Sequence, residues 1–300
     1  MPPAVTRLGF GASGPWGMRW FSEAKASRVL EAALAAGVTD FDTGPSYAGG
    51  NAEPRLGRLL APRLGRDGVP GGAPRLSSKV GTKLGERGRL VKDFRPQAIH
   101  AQAAASLDHL GVPSLDVLYL HGPDEHELAS SLPTLTKLKE LGRVKAIGVC
   151  CEGPHVAAAA ARPEVDWLMT PCNLLAQNDL PALRAARAAG KKVAVVAPLS
   201  QAVWRKDLLR PRTPSGAWYA ARALSRGPDE RRAARSLGWL REVEGWTPAA
   251  LCLAWLREAL GPELILTTTT NPAHIAESAD ALRRPVPPAL AARLAGAVTG

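Results

Sequence analysis

Val38-Thr39-Asp40-Phe41-Asp42-Thr43-Gly44-Pro45-Ser46-Tyr47 reads as a short strand running into a turn that carries an acid and a phenol. The segment Ser22 to Ala36 before it has a helical pattern, and Gly37 supplies the stop. The same unit recurs outward in both directions. Arg7 to Ala12 is a strand on the N-terminal side. Leu76 to Val80 follows, then Asp116 to His121 after a helix from about Pro96 to Leu110 that ends at Gly111. Val144 to Cys150 comes after Leu141-Gly142, and Asp166 to Cys172 after that. Lys192 to Leu199 follows Ala189-Gly190, and Glu263 to Thr269 follows Gly261-Pro262. Apolar strands alternating with helices imply a parallel sheet. About eight units over 300 residues favour a closed α/β barrel, the (β/α)8 TIM fold, over an open doubly wound sheet. The expectation is a single domain over residues 1–300, with an enlarged loop and extra helical segment at about 200–258. Helices are expected there near Asp229–Val243 and Thr247–Ala259. Gly65 to Pro74 reads as a surface loop.

Composition narrows the class. Hydrophobic residues make up 46% of the chain and charged residues 22%, enough apolar matter for a large core. The net charge of +11 invites a nucleic-acid reading. However, the arginines are scattered singly, and the densest cluster, Asp229-Glu230-Arg231-Arg232-Ala233-Ala234-Arg235, contains acids. A solvated basic surface is the simpler reading, one that would help attract an anionic cofactor or substrate. The four cysteines, Cys150, Cys151, Cys172 and Cys252, have neither zinc nor disulfide-framework spacing, so reduced thiols in the cytoplasm and no metal are expected. No apolar run approaches the roughly 20 residues of a membrane span, and the N-terminus lacks a signal-like apolar core. The oligomeric state is not legible.

In such a barrel the strand C-termini and the loops after them form the active site. Asp42, Lys79 and His121 each stand at the end of a strand, and Tyr47 follows in the first of these loops. Asp40 and Asp42 share a face, as do Val117, Tyr119 and His121. Taken singly, each has a bland reading: a loop cap, a surface charge, a core histidine. Together they form a chemical set. A free phenol titrates near 10 and is a poor acid at neutral pH. An ammonium beside it favours the phenolate, an acid can keep that ammonium charged, and a histidine can hydrogen-bond a substrate oxygen and share its proton movement.

The stretch Asp42 to Tyr47, followed by Gly50-Asn51-Ala52-Glu53-Pro54-Arg55-Leu56-Gly57, resembles the signature of the aldo-keto reductase family. Ser77-Ser78-Lys79-Val80-Gly81, Leu120-His121-Gly122-Pro123-Asp124 and Gly142-Arg143-Val144-Lys145-Ala146-Ile147-Gly148-Val149 are similar to its lysine, histidine and fifth-strand segments. Ala197-Pro198-Leu199 and Thr247 to Trp255 are similar to two later ones. The resemblance implies hydride transfer between NADPH or NADH and an aldehyde, ketone or the matching alcohol, a sugar-like substrate being one option. Tyr47 is then the general acid/base, Lys79 tunes it, Asp42 supports Lys79, and His121 orients the carbonyl. It also implies cofactor contacts at Gly11, Asp42, Leu199, Thr269 and Glu277.

Other positions depart from the family pattern. Cys150-Cys151 stand where the family usually has Ser-Asn, Met169 where a glutamine shares the nicotinamide carboxamide, and His274 where a basic residue often grips the 2′-phosphate. Three readings follow: drift with the dinucleotide retained, a shift towards NADH, or loss of the dinucleotide. The last would make the barrel a cofactor-independent lyase or isomerase using the same four residues. A non-enzymatic binding or regulatory barrel is the other alternative. Gly9-Phe10-Gly11-Ala12-Ser13-Gly14 fits the dinucleotide GxGxxG spacing but lacks its helical context. Trp16, Trp20, Trp204 and Trp218 are candidates for lining a substrate pocket, while Trp167, Trp239, Trp246 and Trp255 read as packing residues.

Overall fold

The computed structural model describes residues 6–64, 72–199, 210–225 and 237–296. Its strands are β1 (Arg7–Gly11), β2 (Asp40–Asp42), β3 (Arg75–Val80), β4 (Thr82–Leu84), β5 (Leu90–Lys92), β6 (Val117–His121), β7 (Ile147–Cys150), β8 (Trp167–Pro171), β9 (Lys192–Val196) and β10 (Leu264–Thr267). Eight of them close into a parallel barrel in the order β1-β10-β9-β8-β7-β6-β3-β2. All eight expected strands are present, seven trimmed by one to three residues at their ends and β3 starting one residue earlier. The expectation of a (β/α)8 barrel holds. The β4–β5 hairpin, an antiparallel pair inserted directly after β3, was not anticipated. Its strands are three residues each, too short for alternation to show.

Two cores follow from strand alternation. Val117, Tyr119, Trp167, Met169, Ala194, Leu264 and Leu266 pack together inside the barrel. The alternate strand residues, among them Phe10, Phe41, Leu76, Leu118, Leu120, Leu168 and Val193, face outward into the shell of helices. Asp40 lies at the N-terminal end of the barrel, opposite Arg75 and Gly9 in register. Its carboxylate takes Arg75 Nη2 at 2.6 Å and Arg7 Nε at 3.0 Å. Burial works against its charge, but the two guanidiniums overcome this and hold the carboxyl below its usual range.

The helices obey their local signals. Helix Pro96–Leu110 stops at Gly111 in the left-handed conformation. Helix Glu125–Glu140 opens with a capping box in which Asp124 and Glu127 satisfy each other's backbone. Helix Pro248–Ala259 begins at the expected place, capped by Thr247. Of the expected Asp229–Val243 helix, residues 229–236 lie outside the described residues, and Leu237–Arg241 is a 3-10 helix. Part of the Gly65–Pro74 loop and of the enlarged 200–258 segment, including Trp204, likewise lies outside the described residues. A single helical turn, Gly14–Gly17, does follow β1, although the sequence reading expected none there. Trp16 belongs to the core rather than to a pocket: it is fully buried, its Nε1 donates to Ala26 O at 3.1 Å, and its ring meets Phe10 edge-on. Trp20 is 50% exposed, and Trp218 lies over Gly14.

Candidate active site

The four candidate residues converge at the C-terminal mouth of the barrel. The end of β2 is tied to both neighbours, with Ala12 N donating to Asp42 O at 2.7 Å and Thr43 N to Ser77 O at 3.0 Å. Gly44 O then accepts from Tyr47 N at 3.0 Å, folding the chain so that the phenol returns over β3. Lys79 projects from β3 beneath it. Its Nζ lies 2.5 Å from Asp42 Oδ2, 2.8 Å from Thr43 O and 4.8 Å from the centre of the Tyr47 ring. The His121 ring meets Tyr47 edge-on, 6.0 Å between centres and nearly perpendicular.

Electrostatics refines two expectations. Lys79 is 1% exposed, yet it stays protonated. Burial pulls its pKa down, but attraction to and a hydrogen bond with Asp42, together with smaller pulls from Tyr47 and Cys150, outweigh this and raise it overall. The phenol of Tyr47 was expected to be lowered. Burial instead raises it, and the opposing pull of Lys79 offsets that only in part. His121 is depressed to about 4 by burial and by the charges of Lys79 and Lys92, so the imidazole is neutral at neutral pH. It is then a hydrogen-bond donor to a substrate oxygen rather than a carrier of positive charge. Among the described residues its buried Nδ1 has no hydrogen-bond partner.

The sequence reading missed several residues. Ser77, two positions before Lys79 and therefore on the same strand face, donates to Asp42 Oδ1 at 2.8 Å. Glu53, quoted only as part of a motif, is a buried carboxylate that accepts from Ser78 Oγ at 2.5 Å and Ser106 Oγ at 2.8 Å. His109 Nδ1 lies 3.2 Å from the same carboxylate. This anchors helix Ala52–Leu60 behind β3. Cys150 stands opposite His121 in register. Both line a cavity of about 370 Å³ with Lys92, Gly122, Glu152 and His155. All four cysteines are free. Burial pushes the thiols of Cys150, Cys151 and Cys172 up to about 12, so they are neutral.

The candidate cofactor residues lie on the neighbouring arc, at the ends of β1, β9 and β10, and in the helix after β10. Gly11 O accepts from Thr268 Oγ1 at 2.8 Å, and a Cβ on Gly11 would stand 2.7 Å from that oxygen. Leu199 packs half-buried on the outer core. Thr269 Oγ1 accepts from Asn271 N at 3.1 Å and lies 3.1 Å from His274 Nδ1. Glu277 accepts from Thr247 Oγ1. Two of these side chains are therefore engaged within the protein. Helix Pro272–Arg283 points its N-terminus at this arc. A helix N-terminus of 12 residues beside a β-strand end fits a phosphate group. At the other end, Cys151 and Met169 are buried among apolar neighbours and offer no amide. Asn173 Nδ2 donates to Ala197 O at 3.0 Å. This arc offers backbone groups and a helix end, with few side-chain amides. Among the described residues no cluster of three His, Cys, Asp or Glu is placed to hold a metal, and no helix is long and apolar enough to cross a membrane.

With fold and site in view, the comparisons agree. Residues 7–298 match the aldo/keto reductase family, and the chain belongs to it. It is therefore a member of a family of oxidoreductase enzymes. It is 34% identical over 190 residues to a D-threo-aldose 1-dehydrogenase of a Pseudomonas species, covering 53% of each chain. The alignment thus spans about half the length of that relative. It is 26% identical to an NADH-specific methylglyoxal reductase of Escherichia coli, over 93% of this chain and 90% of that one. The structure of a glycerol dehydrogenase from Gluconobacter oxydans superposes with a TM-score of 0.77 at 20% identity, covering 99% and 96% of the two chains, which speaks for the fold.

Proposed function

We propose that this chain transfers a hydride between a nicotinamide dinucleotide and the carbonyl or alcohol of a small hydroxylated molecule, with aldoses as the leading class. One observation carries the chemistry: Lys79 is buried between Asp42 Oδ2 and Thr43 O, directly beneath the Tyr47 ring. A bound dinucleotide supplies or accepts the hydride. In reduction, Tyr47 Oη gives its proton to the carbonyl oxygen. The phenolate left behind is stabilised by the Lys79 ammonium, which Asp42 keeps charged. Ser77 holds the second carboxylate oxygen of Asp42, so the acid does not rotate away. Neutral His121 donates an N–H to the same substrate oxygen and fixes its approach. In oxidation the steps reverse, and the tyrosine is the base.

Gly11, Asp42, Leu199, Thr269 and Glu277 are proposed to border the dinucleotide. The helix starting at Pro272 would face its phosphates. The missing amides at Cys151 and Met169, and an imidazole at His274 in place of a two-pronged guanidinium, support loose binding with weak discrimination between NADPH and NADH. The aldose class rests on the Pseudomonas relative and on the polar mouth cavity formed by Lys92, His121, Glu152 and His155. The free, mostly buried thiols suit a reducing compartment, and we take the cytoplasm as the location. The partner is a small molecule rather than nucleic acid or membrane. Titration of tryptophan fluorescence with NADPH and NADH, followed by turnover on an aldose panel, tests this reading. Saturable binding and dinucleotide-dependent turnover are expected. Consumption of substrate without dinucleotide would instead establish the lyase or isomerase alternative.

A further inference from the structure

Among the described residues His121 has no hydrogen bond that fixes its ring. A catalytic imidazole is commonly oriented by a partner on the nitrogen that does not meet substrate. Here Nδ1 is buried and unpartnered. Ring placement therefore depends on contact with Tyr47 and on where the backbone of β6 ends. That backbone is held from two sides. On one side, Gly122 N donates to Cys150 O at 2.8 Å. On the other, the β4–β5 hairpin takes two successive carbonyls: Thr82 Oγ1 donates to His121 O at 2.8 Å, and Lys92 Nζ to Gly122 O at 2.6 Å. Gly122 has φ of 70°, the left-handed conformation. Without a Cβ it has other basins available, so outside ties are needed to keep the peptide in this one.

The hairpin is itself anchored to the barrel. Its base closes through Asp93 N to Gly81 O at 2.8 Å, and Lys83 pairs with Asp93 at 3.2 Å. Gly81 N reaches Gln102 Oε1 at 3.1 Å. Thr82 is buried, next to the strand that carries Lys79. Lys92 spans from the second hairpin strand over the Phe94 ring, 5.9 Å from its centre, to the β6 loop. The hairpin thus begins three residues after Lys79 and ends on the backbone of the histidine.

We infer that the β4–β5 hairpin is a strap that positions His121 against Tyr47, with Thr82 and Lys92 as its positioning residues. The inference rests on the proton-transfer role proposed above. The strap couples the lysine strand to the histidine strand, so that the two groups meeting the substrate oxygen keep their spacing. A misplacement of about 1 Å in such a constellation costs up to about a hundredfold in rate.

The test uses Thr82→Val and Lys92→Met, singly and together, with Thr82→Ser and Lys92→Arg as conservative controls. Both tested changes keep volume and remove the donor. Steady-state kinetics, dinucleotide affinity by fluorescence, and the proton–carbon spectrum of the histidine rings are measured on each, with His121 assigned by its loss in His121→Gln. The double variant is expected to lose tenfold or more in kcat, with dinucleotide affinity unchanged and the His121 ring signal broadened or split. Thr82→Ser should stay within about twofold, and Lys92→Arg should leave the His121 ring signal in place. Lys92→Met alone, at an exposed position, keeps the test open if the double variant does not fold. Wild-type kcat together with an unmoved His121 signal would overturn the strap. So would a rise in substrate KM alone, which would make Lys92 a substrate contact. If the wild type reduces nothing with either dinucleotide, the oxidoreductase reading fails separately, and the ring signal still decides whether the hairpin positions His121.

Discussion

Lys79 Nζ and Asp42 Oδ2 are 2.5 Å apart with both side chains buried, so the charge that the site needs is stored in a pair without solvent. Removing one partner of such a pair strands the other. Lys79→Met should lower turnover by a hundredfold or more, since the phenolate loses its counter-charge. It should also destabilise the fold by about 3 kcal/mol through the unpaired Asp42. Tyr47→Phe should abolish turnover and leave thermal stability nearly unchanged. Wild-type-like rates in Tyr47→Phe on every active substrate would remove Tyr47 from the mechanism.

The pH behaviour follows from the directions of two shifts. His121 has its folded pKa depressed from 6.5 to about 4. Between those values the unfolded chain binds the proton that the folded chain refuses. Stability is therefore full above about 6.5, falls as pH drops towards about 4, and levels below that. His121→Gln should flatten that limb of the stability curve. Tyr47 is shifted upward, so as an acid it stays protonated through neutral pH, and kcat/KM for reduction should hold into the alkaline range. A reduction rate that fell off between pH 7 and 8 would contradict a buried phenol as the donor.

At the opposite end of the barrel, Asp40 joins Arg7 and Arg75. Asp40→Asn leaves two guanidiniums facing each other. The arginines reach solvent, which limits the cost to about 2–3 kcal/mol. Chemical denaturation should show the loss while kcat stays near wild type, because the active site lies at the other mouth. An equal loss of kcat would mean that the two ends are coupled.

His274 is exposed near the start of helix Pro272–Arg283 and contacts Thr269 Oγ1. An arginine there would present a fixed charge and a two-pronged donor to a 2′-phosphate. His274→Arg is expected to tighten NADPH binding severalfold with little change for NADH, read by fluorescence titration of both. Equal tightening for both dinucleotides would place the residue away from the 2′-phosphate. Restoring an amide at Met169 is a poorer experiment than the sequence suggests, because that side chain is fully buried inside the barrel.

The barrel was legible because each strand is a near-continuous apolar run bounded by glycine or a polar turn, and because the strand-end residues carry unusual chemistry. Asp42, Tyr47, Lys79 and His121 could be placed together for the same reason. What escaped was whatever depends on desolvation or on short elements. Tyr47 was expected to be lowered by Lys79, but burial, invisible in a string of letters, outweighs that charge. The β4–β5 hairpin has no period long enough to read, so the roles of Thr82 and Lys92 appear only in three dimensions. Thr269 and Glu277 matched the family pattern, yet both are engaged by neighbours within the protein, and sequence shows the residue but not its partner.

Hydride transfer is the central claim, and isotope labelling tests it most directly. The wild-type enzyme is supplied with NADH or NADPH deuterated at the transferring carbon and with an active aldehyde or aldose, and the product is read by mass spectrometry and NMR. One deuterium at the former carbonyl carbon, with the new hydroxyl proton drawn from solvent and the reaction lost in Tyr47→Phe, is the predicted result. Product formed without dinucleotide, or carrying only solvent hydrogen at that carbon, would contradict the account and leave the barrel with a non-redox chemistry.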